Sequence, residues 1–252
     1  MSHKTLVNGT VYEVGGGKTL IDGVAYSIDK GKALVDGTAY EVGFGTPISS
    51  LAEGTLINLN YGSTTRRFRI LKHDYESGLN GAGRTLLIDE QGSYPAGSGT
   101  PDRIVWNESG VNTYANSTMD NWLNSTYKGR FDADVQSAMG STTFYYTPGN
   151  GNNTVTTLSR SVFIASHTER FGGTHSNTNV EGSYIPTVTQ MGSYRGFGGW
   201  FRTPFTNSTD KALYASYYGY SNSWTKSAYA VSNTMSINPM FTLPSNFTNY
   251  TV

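Results

Sequence analysis

Apolar and polar residues alternate in short runs along this chain, and near its start one such run occurs three times. The copies read Thr5-Leu6-Val7-Asn8-Gly9-Thr10-Val11-Tyr12-Glu13-Val14, then Thr19 to Ile28, then Ala33 to Val42, at a step of 14 residues. Each sets Asn8-Gly9, Asp22-Gly23 or Asp36-Gly37 between two apolar, β-branched runs. That dipeptide accepts the positive φ that both central positions of a type I′ turn require, so each copy is expected to be a β-hairpin. Gly15-Gly16-Gly17-Lys18 and Lys30-Gly31-Lys32 read as linkers. A hairpin this short cannot bury a core alone. The copies are expected to stack on each other or on copies from other chains, since no neighbouring segment looks like a covering helix. The plainer alternative is three hairpins of an ordinary sheet.

After a linker over Gly43 to Ser50 the pattern changes. Thr55 to Asn60, Arg67 to Leu71 and Thr85 to Asp89 alternate as strands, with turns at Tyr61-Gly62-Ser63 and Gly78 to Gly83. A helix is expected from Thr118 to about Tyr127, capped by Asn116 or Ser117 and ended by Gly129, with Met119, Trp122, Leu123 and Thr126 on one face. A second helix is expected over Asp132 to Met139, capped by Asp132, with Val135 and Met139 inward. Short strands follow at Thr142 to Tyr146, Ser161 to Ala165, Trp200 to Thr203, Ala212 to Tyr217, Ala228 to Ser232 and Met240 to Leu243. Long polar loops separate them, including Phe171 to Ser183 and Gly192 to Gly199.

Composition narrows the function classes. Net charge is +0 and charged residues are 14% of the chain, with no basic stripe for nucleic acid and no polybasic membrane patch. The absence of cysteine removes disulfides, thiolate metal sites and cysteine nucleophiles. No apolar h-region follows Met1, and no run approaches the roughly 18 apolar residues of a membrane span. Gly, Tyr, Ser, Thr and Asn are enriched, yet 18 Tyr, 11 Phe and 4 Trp argue for a packed aromatic core.

An ordered set of phrases carries a resemblance. They are Tyr114 to Asn124, Leu158 to Ser166, Trp200-Phe201-Arg202-Thr203-Pro204 and Ile237 to Pro244. In this order they resemble an uncharacterised domain family of phage and gut-bacterial proteins. That family looks like a C-type-lectin-like fold, related to phage tropism determinants and formylglycine-generating enzymes. The resemblance covers roughly Gly45 to Val252. The opening repeats are similar to N-terminal repeats on virion proteins of phages infecting Firmicutes. There are departures: Asn238 stands where an arginine is expected before the closing proline. Without cysteine the copper chemistry of the formylglycine branch is excluded. The Glu-Pro-Asn and Trp-Asn-Asp triplets of calcium-dependent lectins are absent, and Trp106-Asn107-Glu108 lies too far upstream to replace the second.

The densest candidate chemistry is Tyr214 to Tyr229, with tyrosines and a tryptophan spaced by Ser, Asn, Thr and Gly. Antibody paratopes use this mixture, because Tyr and Trp give large amphipathic contact area with few rotatable bonds. The same rings stack on sugars. Tyr214 and Tyr229, flanked by alanines, read as core residues of strands. Tyr217, Tyr218, Tyr220, Ser221, Asn222, Ser223 and Trp224 surround Gly219 and read as an exposed ligand-binding loop. Weaker candidates are a metal site from His167, Glu169 and His175, and a glycosidase pair among Asp74, Glu76, Asp89 and Glu90. Neither meets the spacing of a signature, and carboxylates in such loops are usually solvated. No nucleophile elbow is present, and no helix is expected after Gly78 to Gly83 that would make it a phosphate loop.

The expectation is an α+β chain. Residues 1–44 form an all-β hairpin-repeat module for attachment and oligomerisation, and residues 45–252 a C-type-lectin-like domain with two short helices and many short strands. By the resemblance it is a non-catalytic adhesin on the surface of a phage particle, made in the bacterial cytoplasm. It would bind other virion proteins through the repeats and a bacterial surface glycan or protein through the tyrosine-rich segment. A homo-oligomer, with a trimer favoured by analogy, is expected, with no cofactor, metal, nucleic acid or membrane insertion. The alternatives are a structural virion component without host binding and, last, an enzyme acting on cell-wall sugars.

Overall fold

The computed structural model describes residues 3–7, 10–14, 18–21, 24–27, 30–35, 38–43, 45–90, 104–189, 199–218 and 223–252, of which 3–43, 188–189 and 216–226 are described as backbone. The chain divides into two compact units, Met1–Pro47 and Ile48–Val252.

In the first unit β1 (His3–Val7) pairs with β2 (Thr10–Val14), β3 (Lys18–Ile21) with β4 (Val24–Ser27), and β5 (Lys30–Val35) with β6 (Thr38–Gly43), all antiparallel. The closing pairs are Val7↔Thr10, Ile21↔Val24 and Val35↔Thr38, so two residues separate the strands of each pair. The dipeptides Asn8-Gly9, Asp22-Gly23 and Asp36-Gly37, and the linker glycines 15–17, lie outside the described residues. The repeat holds its register: Tyr12, Tyr26 and Tyr40 stand opposite Thr5, Thr19 and Ala33. One expectation is corrected here. Lys30-Gly31-Lys32 is the first half of β5, because β6 runs on to Gly43 and supplies Val42 and Gly43 as its partners.

The second unit is α+β, mostly short strands with a few short helices. Its main sheet joins β7 (Leu56–Tyr61), β8 (Thr64–His73), β9 (Arg84–Asp89), β13 (Val162–Ile164) and β18 (Pro239–Pro244) in the order β13-β18-β9-β8-β7, antiparallel throughout. Between β8 and β9 the register shifts from Ile70↔Leu87 to Lys72↔Leu86. The extra residue is a bulge, and it lets consecutive Ile70 and Leu71 both be buried. Strand β9 is covered on both faces, so Thr85 to Asp89 are all buried. Gly78 to Gly83, read as a turn, overlaps the short helix α1 (Ser77–Asn80).

Helix α2 (Thr118–Trp122) begins at Ser117, whose hydroxyl accepts from the Asp120 N–H. A π-helical turn, Leu123–Tyr127, and a 3₁₀ turn, Lys128–Arg130, follow, so the helical stretch passes through Gly129 instead of ending there. The wider turn rotates the inward face. Met119, Leu123 and Tyr127 are buried, Trp122 is half-buried and Thr126, expected inward, is exposed. Asn124 docks this stretch on β13: it donates to the Val162 carbonyl at 2.9 Å and accepts from Ser161 and Val162 N–H groups at 3.1 and 3.0 Å. Helix α3 (Ala133–Ala138) buries Val135, with Met139 buried just beyond it. Phe131 fills the space between these elements, its ring 4.9 Å from Tyr61 and 5.5 Å from Phe241.

The remaining strands make smaller sheets. These are β11 (Thr142–Tyr146) with β12 (Thr156–Arg160), and β10 (Ile104–Val105) with β17 (Thr234–Met235). The third, β14 (Gly199–Pro204), β15 (Lys211–Tyr218) and β16 (Ser223–Ala230), has three strands in that order. Helix α4 (His167–Phe171) lies in what reads as the connection before the Phe171 to Ser183 loop.

Candidate functional site

The tyrosine-rich segment folds as a long hairpin. Strands β15 and β16 pair without interruption from Lys211↔Ala230 to Tyr218↔Ser223. Tyr217, Tyr218, Ser223 and Trp224, expected in a loop, are therefore strand residues, and Tyr217 stands opposite Trp224. Aromatic and β-branched residues suit a pleated strand, so Tyr217, Tyr218, Trp224 and Thr225 carry the ladder on to either side of Gly219. Tyr220, Ser221 and Asn222 lie outside the described residues. Strand β16 accordingly starts at Ser223, where the alternation suggested Ala228.

A strand alternates its faces with a period of two. Leu213 and Ala215 are buried and belong to the core face, and Tyr217 and Trp224 share their register parity. Tyr214 and Tyr229 belong to the other face, with Tyr218 and Ser223 in the same parity. Tyr214 is half-buried and packs against the core, as expected, whereas Tyr229 is 39% exposed, which corrects the expectation that it too is a core residue. Their rings meet edge to face at 5.1 Å, and Trp200 on β14 lies 6.4 Å from Tyr229. The Trp200 indole N–H donates to the Ile104 carbonyl at 3.1 Å, which fixes the third ring.

Two polar clusters hold this sheet in place. Asn112 donates through its side-chain amide to the carbonyls of Ser208 at 2.8 Å, Lys211 at 2.9 Å and Phe205 at 3.1 Å, and accepts from the Asn150 N–H at 2.6 Å. It pins the turn from β14 into β15. Arg202, on β14, is fully buried and pairs with the equally buried Glu169 through two bonds of 2.7 and 2.8 Å. Its remaining donors reach the carbonyls of Ile164 and Tyr145. Burial alone would lower the Arg202 pKa, but the facing Glu169 carboxylate outweighs it and raises it. Tyr75 donates to the same carboxylate at 2.6 Å, and its pKa is raised by burial and then by Glu169. Glu181 accepts from the Thr147 N–H at 2.6 Å and the Thr203 hydroxyl at 2.5 Å. Burial raises its pKa, while Arg202 and those hydrogen bonds pull the other way.

The other sequence candidates are built into the framework. Glu169 belongs to Arg202, and His167 and His175 stack among Phe171, Phe201 and Phe205. Among the described residues no group of three or more His, Asp or Glu is placed to hold a metal ion. Asp89 pairs with Arg66 at 2.6 Å and accepts from Tyr127 at 2.7 Å; Glu90 pairs with Arg69. Asp74 and Glu76 accept from the backbone of Gly83 and Ser183. Each carboxylate is engaged in holding loops or helices to the sheet.

The family model described as Domain of unknown function (DUF6273) matches residues 82–245. The chain belongs to this family. The chain matches no curated protein. It also matches no solved structure. The DUF6273 match runs from just before β9 to just past β18, so it contains the three-stranded sheet, Asn112 and the Arg202–Glu169–Glu181 cluster, and leaves β7 and β8 outside. Within the DUF6273 region, sequence reasoning did not find Asn112, Arg202 or Glu181 as the supports of the hairpin. One local signal was present: Ser166 and Glu169 form a capping box, each side chain bonding the other's backbone N–H, and this starts α4 and aims Glu169.

Proposed function

We propose that this chain is a non-catalytic adhesin on the surface of a phage particle, with its ligand surface on the β14–β16 sheet. In this reading the second unit is a C-type-lectin-like domain. The three opening strand pairs form an all-β repeat module that attaches the protein to other virion proteins and to copies of itself, as a trimer by analogy. The observation that carries the reading is the hairpin β15–β16, whose outward face shows Tyr229 and half-buried Tyr214 on a base pinned by Asn112. Rigid aromatic rings beside small hydroxyls make a recognition surface at low entropic cost. Engagement of the candidate carboxylates Asp74, Glu76, Asp89, Glu90 and Glu169 by arginines, tyrosines and backbone N–H groups favours binding over acid–base chemistry. Several copies on one particle would multiply weak contacts through avidity.

The test is binding of the fluorescently labelled full chain to a panel of gut Firmicutes, beside a variant with Tyr218 and Tyr229 changed to alanine. Strain-selective binding that the variant loses is the expected result. No binding by either, even after multimerisation, would sink the adhesin and leave a structural virion component.

A further inference from the structure

We infer that the ligand of this surface is an uncharged glycan chain, taken by the face that carries Tyr214, Ser227 and Tyr229. The inference rests on the adhesin reading and narrows it.

Register decides the face. On β15 the parity of Tyr214 runs Ala212, Tyr214, Ser216, Tyr218, and on β16 it runs Ser223, Thr225, Ser227, Tyr229. Both charged residues of the hairpin strands, Lys211 and Lys226, have the opposite parity. Apart from Ala212, which is buried, every position of this parity is an aromatic or hydroxyl-bearing residue. An anionic wall polymer or an acidic peptide would call for a guanidinium or ammonium group here. Arg202, on the neighbouring strand, is fully buried against Glu169, and Arg170, beside Trp200, is buried too.

The same composition separates a glycan from a protein ligand. Protein hot spots insert side chains into well-packed, desolvated pockets. Among the described residues this face offers no exposed aliphatic side chain, and the small recess beside it, between Ala165, Arg170, Trp200 and Asn238, has room for about one water. A sugar ring instead presents an apolar C–H face to an aromatic ring and a rim of hydroxyls to neighbouring hydroxyls. The Tyr214–Tyr229 pair, at 5.1 Å and 61°, is already ordered for such stacking. From Tyr214 to Tyr218 the strand advances about 13 Å at roughly 3.3 Å per residue, which suits several linked sugars better than one.

The experiment takes a strain that the full chain binds and treats its cells with periodate, which cleaves vicinal diols, or with a broad protease. The variants are Tyr229→Ala, Tyr229→Phe and, as a control elsewhere on the surface, Tyr184→Ala. We expect periodate to abolish binding, protease to spare it, and salt to change it little. Tyr229→Ala should weaken binding by about tenfold, while Tyr229→Phe keeps most of it and Tyr184→Ala all of it. Binding that survives periodate, or collapses with salt, overturns the glycan and points to a protein or a charged polymer. Unchanged binding by Tyr229→Ala overturns the face. Failure of the unmodified chain to bind any untreated cells overturns the adhesin reading, and this inference with it.

Discussion

Arg202 and Tyr229 lie on one small sheet and answer to opposite demands. Arg202 is enclosed with Glu169, and its ring neighbours include Phe144 at 4.6 Å. Arg202→Met would leave a carboxylate in the interior without its cation, at a cost of about 3–5 kcal/mol. Urea unfolding should show this as a large fall in midpoint, whereas Tyr229→Ala should cost only about 0.5–1.5 kcal/mol, the worth of its ring contacts. Glu181 adds a dependence on pH. Burial raises its folded-state pKa above the ordinary value of 4.5, so between the two values the folded state holds the proton more tightly than the unfolded chain. Stability from this group is therefore complete below the unfolded value and is lost as pH rises through the folded one. Relative to Glu181→Gln, the unmodified protein should lose stability as pH climbs above the ordinary carboxylate value, in urea melts run at each pH. A difference that stays constant across that range would show that Glu181 does not carry the effect.

Asn112 works for a whole element. It ties the carbonyls of Phe205, Ser208 and Lys211, and the Gly149 backbone lies against it so closely that a Cβ there would come within 2.1 Å of the Asn112 carbonyl oxygen. Gly149 also has φ +79, so Gly149→Ala is opposed by contact and by backbone alike. Asn112→Ala should cost about 1–3 kcal/mol, with hydrogen exchange accelerated first in the β14–β15 turn. Exchange that rises uniformly instead would deny Asn112 its local role. Such long-range pins are hard to read from a chain, since Asn112 and Lys211 are brought together only by the fold. Strands with strong alternation were legible: β7, β9, β11 and β18 fall close to where the pattern put them. Strand β16 was legible only in its second half, because Ser, Asn and Gly near its start look like loop chemistry while the β15 backbone supplies its partners. The shift from Thr126 to Tyr127 was hidden for a similar reason, as a π turn leaves no mark in an apolar pattern read at 3.6 residues per turn. Of the candidate surface, the segment was visible in its composition, but not the division of its residues between two faces.

At the scale of the molecule, the two compact units make separate predictions. The core of Ile48–Val252 is built from its own strands and helices. Removing residues 1–47 should leave its denaturation midpoint unchanged within error; a large fall would show that the opening strand pairs stabilise it. If those pairs assemble the protein, the same truncation should convert an oligomer to a monomer in sedimentation. Within the larger unit, the two-residue period of β15 and β16 has a further consequence. In the adhesin reading, residues there would answer to different selections: Leu213 and Ala215 to folding, Ser227 and Tyr229 to whatever the surface meets. Specificity and foldability would then be written on alternate letters of one hairpin. A library that varies Tyr214, Ser227 and Tyr229 while holding Leu213, Ala215 and Asn112 would search new ligands on an intact frame, so the hairpin is a ready site for retargeting by design.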